Sequence, residues 1–202
     1  MAHKKDKMEK KKEEKLTWQQ SLVLYIHDLS WMLIAILIAF LLVFRVIVVS
    51  GDSMYSTLVD GDYLLLLSNI FYQEPQQGDI IVASKDSYEN GECIVKRVIA
   101  TEGQSVYIDF QTGVVYVDGI ALEEDYTLTS TTHFEGVTFP VTVEENHVFV
   151  LGDNRDNSLD SRSPAIGQID EREILGKAVF IIAPANAKLF SEAFFERFGV
   201  IG

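Results

Sequence analysis

The sequence predicts a mainly β protein, in which an antiparallel-sheet domain with an inserted β-hairpin subdomain follows a single N-terminal transmembrane helix. Two observations carry this prediction. One long apolar run occupies residues 29–49, whereas from Asp60 onward the chain alternates apolar and polar residues or forms short apolar runs. Such patterns are typical of strands. Because no helix-type spacing separates these short runs, we expect the strands to pair antiparallel.

The apolar run fits a membrane anchor. Between Leu29 and Phe44 the only polar residue is Ser30, and Arg45 near the far end can reach the lipid headgroups. As a helix, residues 29–49 would be about 31 Å long, enough to cross a hydrocarbon core of about 30 Å. Length and continuous apolarity disfavour a buried core helix. A cleavable signal peptide is disfavoured because 28 residues precede the run and no Ala-x-Ala follows it. We therefore expect an uncleaved, single-pass signal-anchor.

The charges are unevenly distributed along the chain. Residues 1–15 contain seven Lys and four acidic residues, whereas nine Lys plus Arg face 25 Asp plus Glu from Ser50 onward. The positive-inside rule predicts that residues 1–28, a Lys-rich tail and an interfacial segment, are cytoplasmic. Residues 50–202 are then an extracytoplasmic domain at the cell membrane. So acidic a domain is a poor partner for nucleic-acid phosphates, and we expect no nucleic acid.

The outer domain is expected to contain many short strands. Tight-turn residues at Gln111–Gly113 and Asp118–Gly119 predict consecutive hairpins between residues 106 and 122. Residues 103–143 are interpreted as the inserted subdomain, and Ala187–Phe198 has the spacing of a helix. The predicted strands are Tyr63–Leu67, Asp79–Ala83, Cys93–Ala100, Val106–Phe110, Val114–Val117, Ile120–Leu122, Val137–Val143, His147–Leu151 and Lys177–Ile182.

Cysteine and histidine usage argues against a metal or a cofactor. The single cysteine, Cys93, cannot form an internal disulfide or a zinc cluster, and its strand-like neighbours favour a small core residue. The four His are scattered at positions 3, 27, 133 and 147, so no pair has metal-ligand spacing. We expect no metal and no cofactor.

Two stretches contain a candidate nucleophile and a candidate base. Ser53 lies in the small, polar loop Ser50–Leu58 directly after the apolar run, where a hydroxyl can be exposed. A turn-forming role is the ordinary interpretation of such a serine, since a nucleophile also needs a base. Lys96 shares a strand face with Ile94 and Val98, so burial on both faces of the sheet would lower its pKa toward 7 to 8. The alternative is a Lys that reaches solvent or pairs with an acid.

A third stretch, residues 152–162, is rich in turn formers, carboxylates and arginines. A calcium loop is excluded because Arg155 and Ser158 occupy positions that require a ligand and a glycine. A plain surface loop is one interpretation. A loop braced by its own ion pairs is the other, because at least two charges of each sign lie within ten residues.

Taken together, these stretches resemble the bacterial type I signal peptidases, the membrane-anchored Ser/Lys proteases of peptidase family S26. The resemblance rests on the anchor, Ser-Gly-Asp-Ser-Met-x-x-Thr-Leu, Val-Lys-Arg-Val-Ile and Gly-Asp-Asn-Arg-Asp-Asn-Ser-x-Asp-Ser-Arg in that order. It implies that Ser53 is the nucleophile, that Lys96 is the general base and that Ser158 hydrogen-bonds the Lys96 amine. Met54 would help to shape the site. The residues implied to brace the loop are Arg97, Asp153, Arg155, Asp160 and Arg162.

The sequence departs from the family pattern at two positions. Ser56 stands where the family usually has Pro, which loosens the turn but removes no catalytic group. Gly51 stands where some members offer a hydroxyl to the oxyanion hole, so the N–H of Ser53 would have to stabilise more of the oxyanion.

The resemblance implies a hydrolase that removes N-terminal signal peptides from secretory preproteins, cleaving after small residues of the Ala-x-Ala type. Its partners would be these preproteins and the lipid bilayer. One alternative is a catalytically inactive signal-peptidase-like chaperone in pilus assembly, which would lack part of the Ser/Lys pair. A self-cleaving regulator of the LexA type would carry a DNA-binding module and no anchor. A third alternative, a membrane-tethered domain that only binds ligands, would not explain why all three motifs occur together.

Overall fold

The structure is a computed structural model that describes residues 17–85 and 92–201. The Lys-rich tail expected at residues 1–15 lies outside the described residues. The chain divides into two compact units, the N-terminal helix up to Leu41 and a β domain from Leu42 onward. The catalytic candidates all belong to the β domain.

Most of the helix α1, Trp18–Val43, belongs to the N-terminal unit, and its last two residues belong to the second unit. The helix contains 26 residues, its most apolar 18-residue stretch has a mean hydropathy of 2.3, and none of its side chains is buried. By length and composition it could cross a membrane. Its bounds differ from the expected helix at residues 29–49, because the expected interfacial segment Leu16–Asp28 largely continues into the same helix.

The end of the expected anchor forms a strand. β1 (Phe44–Val48) pairs antiparallel with β2 (Tyr63–Ser68) over its whole length. The successive β-branched residues of β1 favour an extended chain. Ile47 also packs against the buried core, while Val46 and Val48 face outward. The helix therefore ends at Val43 rather than at Val49.

The main sheet contains eight strands in the order β1-β2-β11-β3-β4-β9-β10, with β12 paired to β11. All its neighbouring strands are antiparallel. The expected fold class, a mainly β domain after an apolar helix, is confirmed. The remaining strands of this sheet are β3 (Ile80–Ser84), β4 (Cys93–Thr101), β9 (His147–Leu151), β10 (Ile169–Asp170), β11 (Ile174–Ala183) and β12 (Gly199–Val200).

The inserted residues form a second, four-stranded sheet in the order β7-β6-β5-β8. The two expected hairpins are present, and both residues of the β6–β7 turn, Asp118 and Gly119, have positive φ as a two-residue hairpin turn requires. This sheet shares a core with β4 and β9, which contribute Ile99 and Phe149. Its strands are β5 (Ser105–Asp109), β6 (Val114–Val117), β7 (Ile120–Ala121) and β8 (Val141–Thr142).

Strand β4 is buried on both faces, which determines the environment of the candidate base. Ile94 and Val98 belong to a core cluster on one side, whereas Val95 packs against a second cluster on the other. From Arg97 to Thr101, β4 pairs with β9, and Arg97 also pairs with β3, but over Cys93–Lys96 the strand pairs with β3 alone. The first half of β4 is therefore an open sheet edge among the described residues.

Three local expectations were wrong. Of the strand expected at Val137–Val143 only two residues pair, because Pro140 has no N–H to donate to a ladder. The helix expected at Ala187–Phe198 is only α2 (Glu192–Arg197), since Phe190 has a positive φ of 63° and the Ser191 side chain caps the helix start. Cys93 is exposed at the start of β4 rather than part of the core.

Candidate active site

The candidate nucleophile lies in a series of turns between β1 and β2. The N–H of Tyr55 donates to Asp52 and that of Leu58 to Met54, so the loop coils back directly after Ser53. Met54 and Leu58 are buried in the domain core and fix the loop from beneath. This coiling leaves Ser53 half-buried at the domain surface, where its hydroxyl can meet a substrate.

The candidate base reaches Ser53 from the open half of β4. Lys96 Nζ lies 2.7 Å from Ser53 Oγ and donates to the carbonyl oxygen of Val95 at 3.1 Å. Lys96 is 5% exposed. Burial lowers the pKa of Lys96 to about 8, an effect that the negative charges of Asp160 and Asp153 partly oppose. A hydroxyl and an amine that is readily neutral are thus in direct contact.

The loop at residues 152–162 is organised around Asp160, which is fully buried. Its carboxylate accepts from Arg162 Nε at 2.8 Å and from the Gly152 N–H at 3.0 Å. Arg162 is also fully buried, and it donates to the carbonyl oxygen of Arg155 at 2.9 Å. The loop is therefore internally braced, which is one of the two interpretations that its charge pattern left open.

The expected hydrogen bond between Ser158 and Lys96 is absent among the residues that the structure describes. The Ser158 hydroxyl instead donates to Asp160 at 2.8 Å. Its position is nevertheless beside the site, because a side chain at Gly152 would collide with Ser158 and with the carbonyl oxygen of Ser53. The Ser158 proton thus goes to a carboxylate, which is a stronger acceptor than a neutral amine.

A second buried ion pair lies on the face of β4 opposite to that of Lys96. Arg97 forms a bidentate pair with Asp153 at 2.7 and 2.9 Å, and both side chains are at most 4% exposed. The second oxygen of Asp153 also accepts from Thr57 Oγ1 at 2.6 Å. Asp153 thus joins the strand of the base to the loop of the nucleophile.

Asn154 fastens the same loop to the nucleophile. Its N–H donates to the carbonyl oxygen of Ser53 at 3.0 Å, and its side-chain amide donates to that of Asp52 at 3.0 Å. Thr57 and Asn154 lie within the motifs that the sequence singled out, yet the sequence assigned them no role. Asn154 contacts two backbone carbonyl oxygens, and Thr57 contacts one carboxylate. Contacts of these kinds follow no fixed spacing in the sequence.

The backbone N–H groups of Gly51 and Ser53 differ in whether they are free to bind a substrate. Gly51 has a φ of 85°, a conformation that favours glycine, and its N–H already donates to Asp60 at 2.9 Å. The N–H of Ser53 has no acceptor among residues 17–85 and 92–201. Within the same residues, no group of three or more His, Cys, Asp or Glu side chains is placed to hold a metal ion.

Three further charged or aromatic side chains contact the buried arginines and were not predicted. The Tyr126 ring lies 4.0 Å from the Arg97 guanidinium, Glu124 pairs with Arg155, and Glu135 pairs with Arg162. All three belong to the connection between β7 and β8. Nothing in their local sequence indicates contacts with residues 27 to 31 positions away, so only the fold reveals them.

Comparisons with known proteins identify the family of the chain. The chain matches the family model of signal peptidase, peptidase S26, over residues 22–183. The probable signal peptidase I-1 of Synechocystis sp. is 37% identical over 171 residues, 79% of this chain and 83% of that protein. Signal peptidase I T of Bacillus subtilis is 35% identical over 176 residues, 78% of this chain and 86% of that protein. A crystal structure of a signal peptidase I from Enterococcus faecalis is 31% identical and aligns with a TM-score of 0.43, over 52% of this chain and 97% of that one.

Proposed function

Because the chain belongs to the signal peptidase family, peptidase S26, and is a serine endopeptidase, we propose that it removes N-terminal signal peptides from secreted preproteins. Ser53 is the proposed nucleophile and Lys96 the proposed general base. The observation that carries the proposal is the 2.7 Å contact between Lys96 Nζ and Ser53 Oγ, made by a lysine that is 5% exposed. A nucleophile needs an adjacent base, and a buried amine supplies one near neutral pH.

The first half of the reaction forms an acyl-enzyme. Neutral Lys96 takes the proton of the Ser53 hydroxyl while the Ser53 oxygen attacks the scissile carbonyl carbon. The resulting tetrahedral oxyanion accepts a hydrogen bond from the Ser53 N–H. When the intermediate collapses, the C–N bond breaks and the Lys96 ammonium gives its proton to the leaving amine.

The second half hydrolyses the ester. Lys96, neutral again, takes a proton from a water molecule as that water attacks the acyl carbon. Collapse of the second tetrahedral intermediate breaks the bond to the Ser53 oxygen, which recovers the proton from Lys96. Each cycle therefore returns Lys96 to the neutral form, so the rate follows the neutral fraction of this side chain.

Two open sheet edges support the binding of an extended substrate. β1 pairs only with β2, and Cys93–Lys96 of β4 pairs only with β3 among the described residues. Ser53 follows β1 after five residues, and Lys96 ends the open half of β4. An extended peptide can add to such edges by main-chain hydrogen bonds. We propose that small residues precede the scissile bond, as the family resemblance implies, with Met54 beneath the site.

We propose a single-pass topology in which residues before α1 are cytoplasmic and the β domain lies on the outer face of the membrane. The 26 apolar-rich residues of α1 form a helix about 39 Å long, sufficient to span the hydrocarbon core. Seven Lys within residues 1–15 favour a cytoplasmic N-terminus. Only ten residues connect Val43 to Ser53, which limits their separation to about 35 Å.

Peptide cleavage by the full chain in detergent tests the proposal. The substrate carries Ala-x-Ala before its cleavage site, and Ser53→Ala and Lys96→Ala are compared with wild type. Ser56→Ala, an exposed serine of the same loop, is the matched control. We expect cleavage after the second Ala by wild type and Ser56→Ala, and loss of cleavage in the other two variants, all with native circular dichroism.

Each other outcome contradicts a defined part of the proposal. Full cleavage by Lys96→Ala would exclude Lys96 as the base. Undiminished cleavage after replacement of the second Ala by Phe would exclude the preference for small residues. No cleavage by wild type, with or without lipid, would favour an inactive, chaperone-like protein.

A further inference from the structure

The connection between β7 and β8 covers every buried arginine of the site. Arg97, Arg155 and Arg162 are at most 3% exposed. Each receives at least one side chain from residues 124–135, which the sequence placed in an insert without catalytic groups. An unpaired buried charge is strongly destabilising, so these partners determine where each guanidinium can lie.

Arg155 is held by two residues of this connection. Its two terminal nitrogens donate to the Glu124 carboxylate at 3.0 and 2.6 Å, in a bidentate arrangement. The first of them also donates to Thr131 Oγ1 at 2.6 Å. Thr131 is fully buried and Glu124 nearly so. The guanidinium plane of Arg155 is thereby fixed from the side of the insert.

Arg97 is fixed in a different way. The Tyr126 ring lies 4.0 Å from its guanidinium carbon, and the Tyr126 hydroxyl donates to Glu124 at 3.0 Å. Arg97 is therefore confined between an aromatic face and the carboxylate of Asp153. A desolvated cation–π contact of this kind favours one position of the guanidinium over the ring. Tyr126 and Glu124 together link the two arginines.

The arginines transmit these constraints to the reacting atoms. Arg155 Nε donates to the carbonyl oxygen of Gly152 at 3.0 Å, and Gly152 packs against the carbonyl oxygen of Ser53. The pair of Arg97 with Asp153 continues to Thr57, four residues after the nucleophile. Both routes are chains of direct contacts that end at the Ser53 loop.

We propose that residues 124–135, here called the arginine clamp, are a positioning element that holds Ser53 against Lys96. Glu124 and Tyr126 are its principal positioning residues, and neither touches the reacting atoms. The inference rests on the proposed function of the Ser53 and Lys96 pair. A shift of about 1 Å between reacting groups can lower a rate by about 100-fold, so a clamp outside the site has a measurable effect on turnover.

The first test compares Glu124→Gln with Glu123→Gln, an adjacent glutamate that is exposed. Cleavage of the Ala-x-Ala peptide is measured per folded molecule, with folding checked by circular dichroism. We expect kcat of Glu124→Gln to fall by about tenfold or more with little change in KM, because turnover and not substrate affinity depends on the Ser53 geometry. Glu123→Gln should match wild type.

The second test separates the ring of Tyr126 from its hydroxyl. Tyr126→Phe keeps the aromatic face over Arg97, whereas Tyr126→Leu removes it. We expect Tyr126→Phe to retain most of kcat and Tyr126→Leu to lose about tenfold, a recovery by the conservative variant that simple filling of space does not predict. This pair also decides the matter if Glu124→Gln fails to fold.

The outcomes distinguish the clamp from the proposed function. If wild type cleaves and both Glu124→Gln and Tyr126→Leu keep kcat within about twofold of Glu123→Gln, the clamp is excluded while the function stands. A change confined to KM would also exclude it. If wild type itself does not cleave, the proposed function fails before the clamp is tested.

Discussion

Two neighbouring basic residues of β4, Lys96 and Arg97, are both buried, on opposite faces of the strand, but they contact different kinds of partner. Lys96 is 5% exposed and Arg97 is 3% exposed. Arg97 meets a carboxylate in a bidentate pair and an aromatic ring. Lys96 meets a hydroxyl and a carbonyl oxygen, and burial lowers its pKa to about 8.

The difference shows that burial alone does not make a base. At similar exposure, the Arg97 guanidinium is paired with a carboxylate, whereas the Lys96 amine contacts a neutral hydroxyl and a carbonyl oxygen and can lose its proton. Arg cannot be deprotonated in proteins, so it suits the bracing role, while Lys suits proton transfer. Exchanging or removing these partners should therefore affect activity and stability separately.

The largest expected effect is on activity. Lys96→Arg keeps a cation in the site but cannot accept the Ser53 proton. We expect kcat/KM for the Ala-x-Ala peptide to fall by a factor of about 10³ or more, since general base catalysis contributes about 10² to 10⁴. Lys85→Arg, a partly buried lysine outside the site, is the control and should retain activity. Activity of Lys96→Arg within tenfold of wild type would contradict the role of Lys96.

The next effect is on stability. Asp153→Asn removes the charge that neutralises Arg97 in the core, so the free energy of unfolding should fall by about 3 to 5 kcal/mol. Asp156→Asn, on the same loop but paired with His133 at the surface, should change it by less than about 1 kcal/mol. Urea denaturation measures both. Equal losses in the two variants would contradict the distinction between buried and exposed pairs.

The lowered pKa of Lys96 also predicts a pH-dependent stability. Because this pKa is about 8 in the folded state and 10.5 in the unfolded chain, the unfolded chain binds the extra proton between these values. Relative to Lys96→Met, wild type should therefore gain about 3 kcal/mol of unfolding free energy as pH rises from 7 to 10.5. Lys96→Met should lack this gain and be the more stable protein at pH 7. Urea midpoints across this range provide the measurement, with the exposed Lys188→Met as control. A parallel pH dependence in wild type and Lys96→Met would contradict the shift.

The smallest effect concerns the tuning of the base. The charged groups that face Lys96 are Asp160, Arg162, Asp153 and Glu135. Burial raises the pKa of Glu135, and its negative charge in turn raises that of Lys96. Glu135→Gln should therefore move the acidic limb of kcat/KM to lower pH, because Lys96 loses its proton more readily.

The exposed Glu123→Gln is the matched control for this shift. Its acidic limb should coincide with that of wild type. If the acidic limb of kcat/KM in Glu135→Gln stays at the wild-type pH or moves to higher pH, the charge of Glu135 does not raise the pKa of Lys96.

The sequence predicted what depends on local pattern. Strand alternation placed Lys96 between apolar residues, the hairpin turns at Asp118–Gly119 were correct, and the family resemblance is confirmed. The predicted end of α1 at residue 49 was wrong. The apolar residues after Val43 suit a strand as well as a helix, and their pairing with β2 favours the strand. Apolarity alone cannot distinguish these states.

The sequence could not predict contacts between distant segments. Ser158 was expected to hydrogen-bond Lys96, yet its hydroxyl donates to Asp160 two residues away. Glu124 and Tyr126 lie in a stretch without motifs, and only the packing of the second sheet brings them to the arginines. Such partners become visible once the fold fixes which buried charges need neutralising.

The pH dependence of kcat/KM tests the central claim most directly, because it reports the ionisation of the free enzyme's base. With the Ala-x-Ala peptide, the account predicts an acidic limb whose midpoint lies near the Lys96 pKa of about 8. A midpoint near 10, the value of an ordinary lysine, or a rate that stays constant well below pH 7 would show that neutral Lys96 is not the base.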